Sequence, residues 1–186
     1  VVPCCPINCS PLLHGRAAEP LLHDGKEPSP MLEIDIPGRG AFGFHHVVCD
    51  YNGTIATDGH LIEGVAGRIG EIAEHVQVSV LTADTFGTVR AECAGLPVDV
   101  RVFDREDASA CKAAIVRELG SQGCVCIGNG FNDIAMFEEA ALSFAIVGKE
   151  GACGKLLSCA DVVVTTPIDA FDLLIHANRL RATLRG

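Results

Sequence analysis

The residues with the clearest chemical potential follow apolar, strand-like runs or lie in predicted helices. Asp50 opens the sequence DYNGT, Thr82 ends the sequence VSVLT, Lys112 lies about one turn into a predicted helix, and residues 128–133 read GNGFND. The carboxyl ends of parallel strands meet at one edge of a sheet, where α/β proteins bind their ligands. The spacing therefore predicts that these groups converge on one site.

These residue types suit the transfer of a phosphoryl group. The carboxylate of Asp50 can attack phosphorus and form an aspartyl phosphate, and Thr82 offers its hydroxyl to a phosphoryl oxygen. Lys112 supplies an ammonium group for the negative charge, while Asp133 and its neighbouring amides offer the oxygen ligands that Mg²⁺ prefers. Each element alone is ambiguous, since a strand-terminal aspartate is often a turn residue and a helical lysine is usually solvated. Their order along the chain favours a phosphate site.

The elements that position these residues alternate from Met31 onward. Apolar patterning predicts strands over 31–36, 42–49, 78–81, 98–103, 123–127, 142–147 and 161–165. It predicts helices over 61–76, 86–94, 107–119, 132–141, 152–159 and 168–178. This alternation predicts an α/β fold, a doubly wound parallel sheet with helices on both faces. The first strand and a turn at 37–40 predict a hairpin-like N-terminal extension.

Composition and charge disfavour several other classes of protein. The residues are 48% hydrophobic and the formal net charge is -10 at pH 7, which argues against global disorder and against nonspecific binding to nucleic acid. No apolar run reaches the roughly 18 residues that a membrane-spanning helix needs. Cys49, Cys124 and Cys126 lie in apolar runs, which favours buried free thiols in a reducing compartment. We therefore expect a cytoplasmic protein with no membrane or nucleic-acid partner.

Residues 1–30 differ in composition and in hydrophobic patterning from the rest of the chain. They contain Cys4, Cys5, Cys9 and His14 among six prolines and show little periodicity. Their cysteine spacing does not match the paired CxxC pattern of a structural zinc site. We expect an irregular or disordered tail over 1–30, with a soft-metal or redox site as the alternative, followed by one α/β hydrolase domain over 31–186.

The motifs in this order resemble those of the haloacid dehalogenase (HAD) superfamily: DxxGT, a strand-terminal threonine, a lysine and GxGxND. The similarity is strongest to the phosphorylation domain of P-type ATPases, whose LTGD and GDGxND motifs resemble LTAD at 81–84 and GNGFND at 128–133. Only 27 residues separate Thr54 from Thr82, too few for the nucleotide-binding insertion of a pump. The chain thus resembles the soluble, P-type ATPase-like group of HAD phosphatases.

The resemblance implies a Rossmann-like core and a role for each motif residue. The catalytic residues would be Asp50, Thr82 and Lys112. The phosphate would contact Asn52, Gly53, Thr54, Ala83 and Asn132, and Mg²⁺ would be bound by Asp50, Asn52, Asn129 and Asp133. The short connections on either side of Thr82 leave no room for a cap domain, so the site is expected to be open. An open site implies either that a neighbouring subunit covers it or that the substrate is large. We expect a small phosphorylated substrate and a homo-oligomer.

Two positions depart from the superfamily pattern. Asn52 stands where these phosphatases usually have a second aspartate, which donates a proton to the leaving group and later activates water. Asn129 stands where the fourth motif usually has an acid, so the metal site loses one negative charge. We expect a slow phosphohydrolase that favours good leaving groups such as those of acyl phosphates. The alternative is a degenerate HAD domain that senses phosphate or a metal ion as a regulatory binding protein.

Overall fold

The computed structural model describes residues 31–103 and 105–186, except for the side chain of Arg105. The predictions made for residues 1–30, including the cysteines there, lie outside these ranges. The strands of the described residues are β1 (Leu32–Ile36), β2 (Gly40–Phe44), β3 (His46–Asp50), β4 (Ala56–Thr57), β5 (His60–Leu61), β6 (Gln77–Thr82), β7 (Val98–Val102), β8 (Cys124–Gly128), β9 (Leu142–Ile146) and β10 (Val162–Val164).

The helices connect these strands. They are α1 (Val65–Ile72), α2 (Val89–Glu92), α3 (Ala108–Leu119), α4 (Ile134–Glu139), α5 (Gly154–Leu157), α6 (Pro167–Ile175) and α7 (Ala177–Leu184). Short 3₁₀ turns cover Arg105–Asp107, Ser121–Gly123 and Phe131–Asp133. None of the helices described here is long and apolar enough to cross a membrane.

Six parallel strands form the central sheet, in the order β10-β9-β8-β3-β6-β7. The chain passes from β3 outward through β6 and β7, and then returns to β8 on the other side of β3. This order has a topological switch point between β3 and β8, which confirms the predicted doubly wound parallel sheet.

Both faces of the sheet are buried, which explains the continuous apolar runs of its strands. Val47 and Cys49 of β3 belong to a core cluster that includes residues of α1 and α6. Val48 points to the other face and belongs to a cluster that includes residues of α3, α4 and α5. Cys124 and Cys126 lie in this second cluster, fully buried as free thiols, as the sequence predicted.

The predicted hairpin extension is present, but the single strand predicted over 42–49 is wrong. β2 pairs antiparallel with β1, whereas β3 joins the parallel sheet between β6 and β8. The change occurs at His45, whose N–H donates to the carbonyl of Gly123 and whose carbonyl accepts from Gln77 N–H. Apolar residues are needed on both sides of this junction, so the pattern contains no signal for the change of partner.

Three predicted helices have different bounds for local reasons. The helix predicted over 61–76 begins only at Val65, because Leu61 belongs to β5 and Gly64 adopts a left-handed φ of 88°. The helix predicted over 86–94 spans one turn, Val89–Glu92. The helix predicted over 168–178 ends at Ile175, and α7 follows after His176, packing the fully buried Leu180 against the core.

The connections around Thr82 contain no inserted domain within the described residues. The segment from Asp50 to β6 holds only the β4–β5 hairpin and α1, and the segment from β6 to β7 holds only α2. The expected absence of a cap in these connections agrees with this arrangement, and the carboxyl edge of the sheet carries only short loops and a small hairpin.

We predict that Thr166→Ala lowers the free energy of unfolding by about 1 kcal/mol, the usual effect of losing an N-cap. The Thr166 hydroxyl accepts from Asp169 N–H at 3.1 Å and donates to the Asp169 carboxylate at 2.7 Å, which closes the first turn of α6. Urea denaturation measures the change. Thr165→Ala is the matched control and should have little effect, and an equal loss in both variants would contradict the capping role.

Candidate active site

The ends of three adjacent strands bring the predicted motifs together. Asp50 ends β3, Thr82 ends the neighbouring β6, and Gly128 ends β8 on the other side. Parallel pairing aligns their carboxyl ends at one edge of the sheet, at the switch point where open α/β sheets bind ligands. Asp50, in the middle, is 8% exposed, so a small group can still reach it from the edge.

A buried ion cluster occupies the centre of this edge. Lys112, from the second turn of α3, donates to Asp50 Oδ1 at 2.5 Å and to Asp133 Oδ1 at 2.6 Å. Lys112 is 1% exposed and Asp133 is fully buried. The ammonium therefore joins the strand tip of β3 to the loop that follows β8, and it lies in direct contact with the carboxylate predicted to be the nucleophile.

The protonation of the cluster follows from its burial and its charges. Burial and the charge of Asp133 raise the pKa of Asp50 to about 6, against the opposing effects of Lys112 and the Thr54 hydroxyl. Burial alone would lower the pKa of Lys112, but the two carboxylates raise it above its usual value. At neutral pH Lys112 is therefore charged, and Asp50 is mainly the carboxylate that a nucleophilic role requires.

Asp133 also organises the loop that contains it. Its Oδ2 accepts from the backbone N–H groups of Asn129 at 3.0 Å and Gly130 at 2.8 Å. A Cβ at Gly128 would lie only 2.6 Å from this carboxyl group, so the close approach requires glycine. Both oxygens of Asp133 thus already have partners, one in Lys112 and the other in the loop backbone.

Oxygen acceptors outnumber donors beside Asp50. The Thr54 hydroxyl lies 3.1 Å from Asp50 Oδ2 and 3.1 Å from Asn129 Oδ1, and its single proton can serve only one of them at a time. The buried Oδ1 of Asn52 has no hydrogen-bond partner. Carboxylate and amide oxygens are the ligands that suit Mg²⁺, so this acceptor-rich position fits that cation.

A softer metal is not favoured by the same region. No group of three or more His, Cys, Asp and Glu side chains in 31–103 and 105–186 is arranged to hold a metal ion. A cation beside Asp50 would therefore depend on amide oxygens in addition to carboxylate, and the donor set is hard oxygen only.

The amide of Asn129 has a structural partner that the sequence did not indicate. Its Nδ2 donates to the carbonyl of Gly151 at 3.1 Å, which directs Oδ1 toward Thr54. Gly53 makes room for this amide, because a Cβ on Gly53 would collide with the Asn129 side chain. An aspartate at 129 has no proton to donate to Gly151, so the loop is built around an amide.

The remaining predicted contacts lie around this centre. The Thr82 hydroxyl is buried and accepts from Asp84 N–H at 2.9 Å, while its own proton stays available to a bound group. Ala83 and Asn132 are half-buried, next to Thr82 and Asp133 respectively. Sequence reasoning gave no role to Asp84, whose Oδ1 accepts from Thr88 and Val89 N–H and so caps α2. The similarity of LTAD at 81–84 to the LTGD motif was the feature of the sequence that pointed to Asp84.

Relatives of this chain are found among curated proteins, although no family model matches it. An uncharacterised protein of Methanocaldococcus jannaschii is 40% identical over 78 residues, which cover 40% of this chain and 84% of that protein. A second uncharacterised protein of this archaeon is 46% identical over 39 residues, 21% of this chain and 89% of its own length. The chain belongs to the same family as the first of these proteins.

Solved structures share the fold of this chain. A cobalt-bound deoxy-D-mannose-octulosonate 8-phosphate phosphatase from Haemophilus influenzae superposes with a TM-score of 0.59 at 16% identity, covering 77% of this chain and 94% of that one. A putative HAD family hydrolase from Streptomyces avermitilis has a TM-score of 0.57 at 17% identity, with 74% and 87% covered. The chain has the HAD fold. This likeness confirms the predicted fold, whereas membership of the superfamily and the narrower resemblance to P-type ATPases stay predictions.

A third solved structure of the HAD fold was determined with ligands. It is the 3-deoxy-D-manno-octulosonate 8-phosphate phosphatase from Moraxella catarrhalis in complex with magnesium, phosphate and a KDO molecule. Its TM-score is 0.56 at 15% identity, with 76% of this chain and 94% of that chain covered. At this identity the similarity concerns the fold, and the site of the present chain is argued from its own residues.

We predict that Asn129→Asp destabilises the protein by about 1 kcal/mol, because the part-buried Gly151 carbonyl loses its donor and faces a second oxygen instead. Thermal denaturation in the presence of EDTA measures this change without a metal contribution. Asn132→Asp introduces the same charge in the same loop without breaking a described hydrogen bond and serves as control. If the two variants lost equal stability, the effect would be one of charge and not of the Gly151 contact.

Proposed function

We propose that this protein is a Mg²⁺-dependent phosphohydrolase that acts through an aspartyl phosphate on a small phosphorylated metabolite or acyl phosphate. The observation that carries the proposal is the contact of Lys112 with both Asp50 and Asp133, at the tip of the central strand. A buried ammonium beside an accessible carboxylate can neutralise a phosphoryl group while the carboxylate attacks it. The HAD fold and the phosphatases that share it support this reaction class.

The reaction consists of two displacements at phosphorus. In the first, a carboxylate oxygen of Asp50 forms a bond to phosphorus as the bond between phosphorus and the leaving oxygen breaks. The leaving oxygen departs with the electron pair and takes a proton from solvent. In the second, water attacks the aspartyl phosphate, loses a proton to solvent and releases inorganic phosphate, which restores the Asp50 carboxylate. Lys112 and the Thr82 hydroxyl bind the phosphoryl oxygens during both steps.

Asp50, Asn52 and Asn129 are the residues that would hold Mg²⁺ most directly. When bound, the cation neutralises phosphoryl oxygen charge and orients the group for in-line attack. Asp133 contributes negative charge nearby, although Lys112 and two backbone amides already occupy its oxygens. The phosphatase from Moraxella catarrhalis contains magnesium with phosphate, which agrees with this choice of cation.

Asn52 determines the expected speed and substrate preference of the enzyme. Its amide cannot exchange a proton near neutral pH, so the leaving group receives no help from a general acid there. A positioned general acid typically contributes about 10²–10⁴-fold. Without a general acid, we expect a slow rate on alkyl phosphates. We expect a preference for acyl phosphates, because their leaving groups need no proton.

Homo-oligomerisation and a cytoplasmic location stay predictions.

A second function is supported by the same two amides. Asn52 and Asn129 suit a domain that binds phosphate or a metal ion and signals its presence without turnover. The hydrogen bond from Asn129 to Gly151 favours this reading, since it shows an amide that is integrated into the loop. The two functions differ in whether Asp50 is ever phosphorylated, which the following measurements test.

We expect Asp50→Asn to lower Mg²⁺-dependent hydrolysis of p-nitrophenyl phosphate at least about 100-fold, because it removes the covalent nucleophile. Asp99→Asn, the same change at an exposed carboxylate of β7, is the control and should keep full activity. Beryllium fluoride, which mimics an aspartyl phosphate, should raise the melting temperature only when Mg²⁺ and Asp50 are both present. Retention of a tenth or more of the activity in Asp50→Asn would exclude the nucleophile assignment.

Asn52→Asp should raise turnover of alkyl phosphates about tenfold, since it places a titratable group near the leaving oxygen. The gain should be smaller on p-nitrophenyl phosphate, whose leaving group needs little protonation. Gln122→Glu, which adds the same charge at an exposed position of the Ser121–Gly123 turn outside the site, controls for electrostatics. If turnover stays flat on both ester types while beryllium fluoride still binds through Asp50, the binding-protein function becomes the better explanation.

A further inference from the structure

A groove of about 350 Å³ opens directly beside Gly53, the residue that follows Asn52 in the nucleophile loop. The β4–β5 hairpin with residues 60–63 forms part of its wall, and Gly148, Lys149 and the start of α6 form the rest. A phosphate ester bound at Asp50 has its alcohol portion directed away from the buried ion cluster, toward open space. The groove adjoins the nucleophile loop at Gly53.

The walls of the groove are held in place before any ligand binds. The carbonyl of Gly59, at the hairpin turn, accepts from the buried Tyr51 hydroxyl at 3.1 Å and from Thr88 Oγ1 at 2.6 Å. Asp58 N–H donates to Glu150 at 2.9 Å, which joins the hairpin to the loop after β9. Because these contacts already fix the walls, the groove can select a ligand by shape and charge with little loss of conformational entropy on binding.

A second connection holds the other end of the hairpin. Glu92 of α2 accepts from Leu61 N–H at 2.8 Å and contacts His60 Nδ1 at 3.1 Å. The hydrogen bond from the Leu61 backbone, followed by the hydrogen bond with the His60 side chain, lowers the pKa of Glu92 and keeps it ionised. His60 is therefore already paired, and it is not the group that the groove offers to a ligand.

Two unpaired charges of opposite sign line the groove. Lys149 and Glu63 are exposed, and neither forms an ion pair within the described part of the chain. The N-terminus of α6 offers no competing anion site, because Thr166 and Asp169 cap it and add a carboxylate. Leu61, Ile62 and Pro167 supply the apolar surface between the polar groups.

We propose that this groove binds the leaving group of the substrate and that the leaving group carries both a carboxylate and an ammonium. Lys149 pairs with the carboxylate and Glu63 with the ammonium, so the substrate class is a phosphate monoester of an amino-bearing hydroxy acid. The inference rests on the proposed function and deepens it: Asn52 still makes the hydrolysis of such an alkyl ester slow, and the groove determines which alkyl ester is preferred. A leaving group with one charge would leave either Lys149 or Glu63 without a partner at the same surface.

A series of four esters tests each charge separately. Phosphoserine carries both groups, phosphoethanolamine lacks the carboxylate, 3-phosphooxypropanoate lacks the ammonium, and ethyl phosphate lacks both. The value of kcat/KM with Mg²⁺ is measured for the native protein, Lys149→Met and Glu63→Gln. Lys155→Met is the matched control, because Lys155 is also an exposed lysine but lies on α5, outside the lining of the groove. Its ammonium lies 5.7 Å from the centre of the Phe131 ring. p-Nitrophenyl phosphate, whose leaving group carries neither a carboxylate nor an ammonium, reports the chemistry independently of Lys149 and Glu63.

Phosphoserine should be the best of the four substrates. Lys149→Met should lower kcat/KM about threefold for the two esters with a carboxylate and leave the other two unchanged, the size expected of one exposed charge pair. Glu63→Gln should act in the same way on the two esters with an ammonium, and Lys155→Met should change none. An equal loss on all four esters would assign Lys149 to the phosphoryl group and overturn the proposal.

The result on p-nitrophenyl phosphate separates the two levels of inference. If that ester is hydrolysed in an Asp50-dependent manner but the four esters have equal kcat/KM in every variant, the groove proposal is wrong and the proposed function stands. If no ester is hydrolysed in an Asp50-dependent manner, the proposed function is wrong and the groove proposal falls with it.

Discussion

The contact of one buried ammonium with two buried carboxylates is the constraint on which the site depends. Removing such charges from water is costly, and the cost is offset only when each charge has close partners. Lys112 finds those partners in Asp50 and Asp133, and Asp133 gains two more from backbone amides. The cluster therefore forms only when β3, α3 and the loop after β8 are all in place, so the assembled fold is a condition for the chemistry.

The same cluster explains how an acidic protein can attract an anionic substrate. The formal net charge is -10, so the overall field repels phosphate. Lys112 balances only one of the two carboxylates, Asp50 and Asp133, so the cluster stays negative. The oxygen-rich position beside Thr54 suits a divalent cation that would reverse the local sign. Attraction thus depends on short-range groups at one sheet edge, where burial weakens screening by solvent and salt.

The two amides that depart from the pattern of the predicted superfamily have different structural positions. Asn129 donates to Gly151 and is accommodated by the absence of a side chain at Gly53, so it belongs to a loop arranged around it. Asn52 keeps a buried oxygen without a partner. The amide of Asn129 is thus held by the surrounding loop, while the amide of Asn52 leaves a buried acceptor without a partner two residues after Asp50. A substrate hydroxyl or a bound cation is the kind of group that this acceptor lacks.

Local patterns in the sequence determined the α/β class, the parallel sheet and the position of Asp50, Thr82 and the 128–133 loop, because burial on both faces imposes apolar runs that end at the same sheet edge. They did not reveal the change of strand partner at His45, the second C-terminal helix or the contact from Asn129 to Gly151. Those features depend on which distant group satisfies a backbone or side-chain hydrogen bond. Apolar periodicity records only that a residue is buried, whereas the identity of its partner is decided when the chain packs into three dimensions.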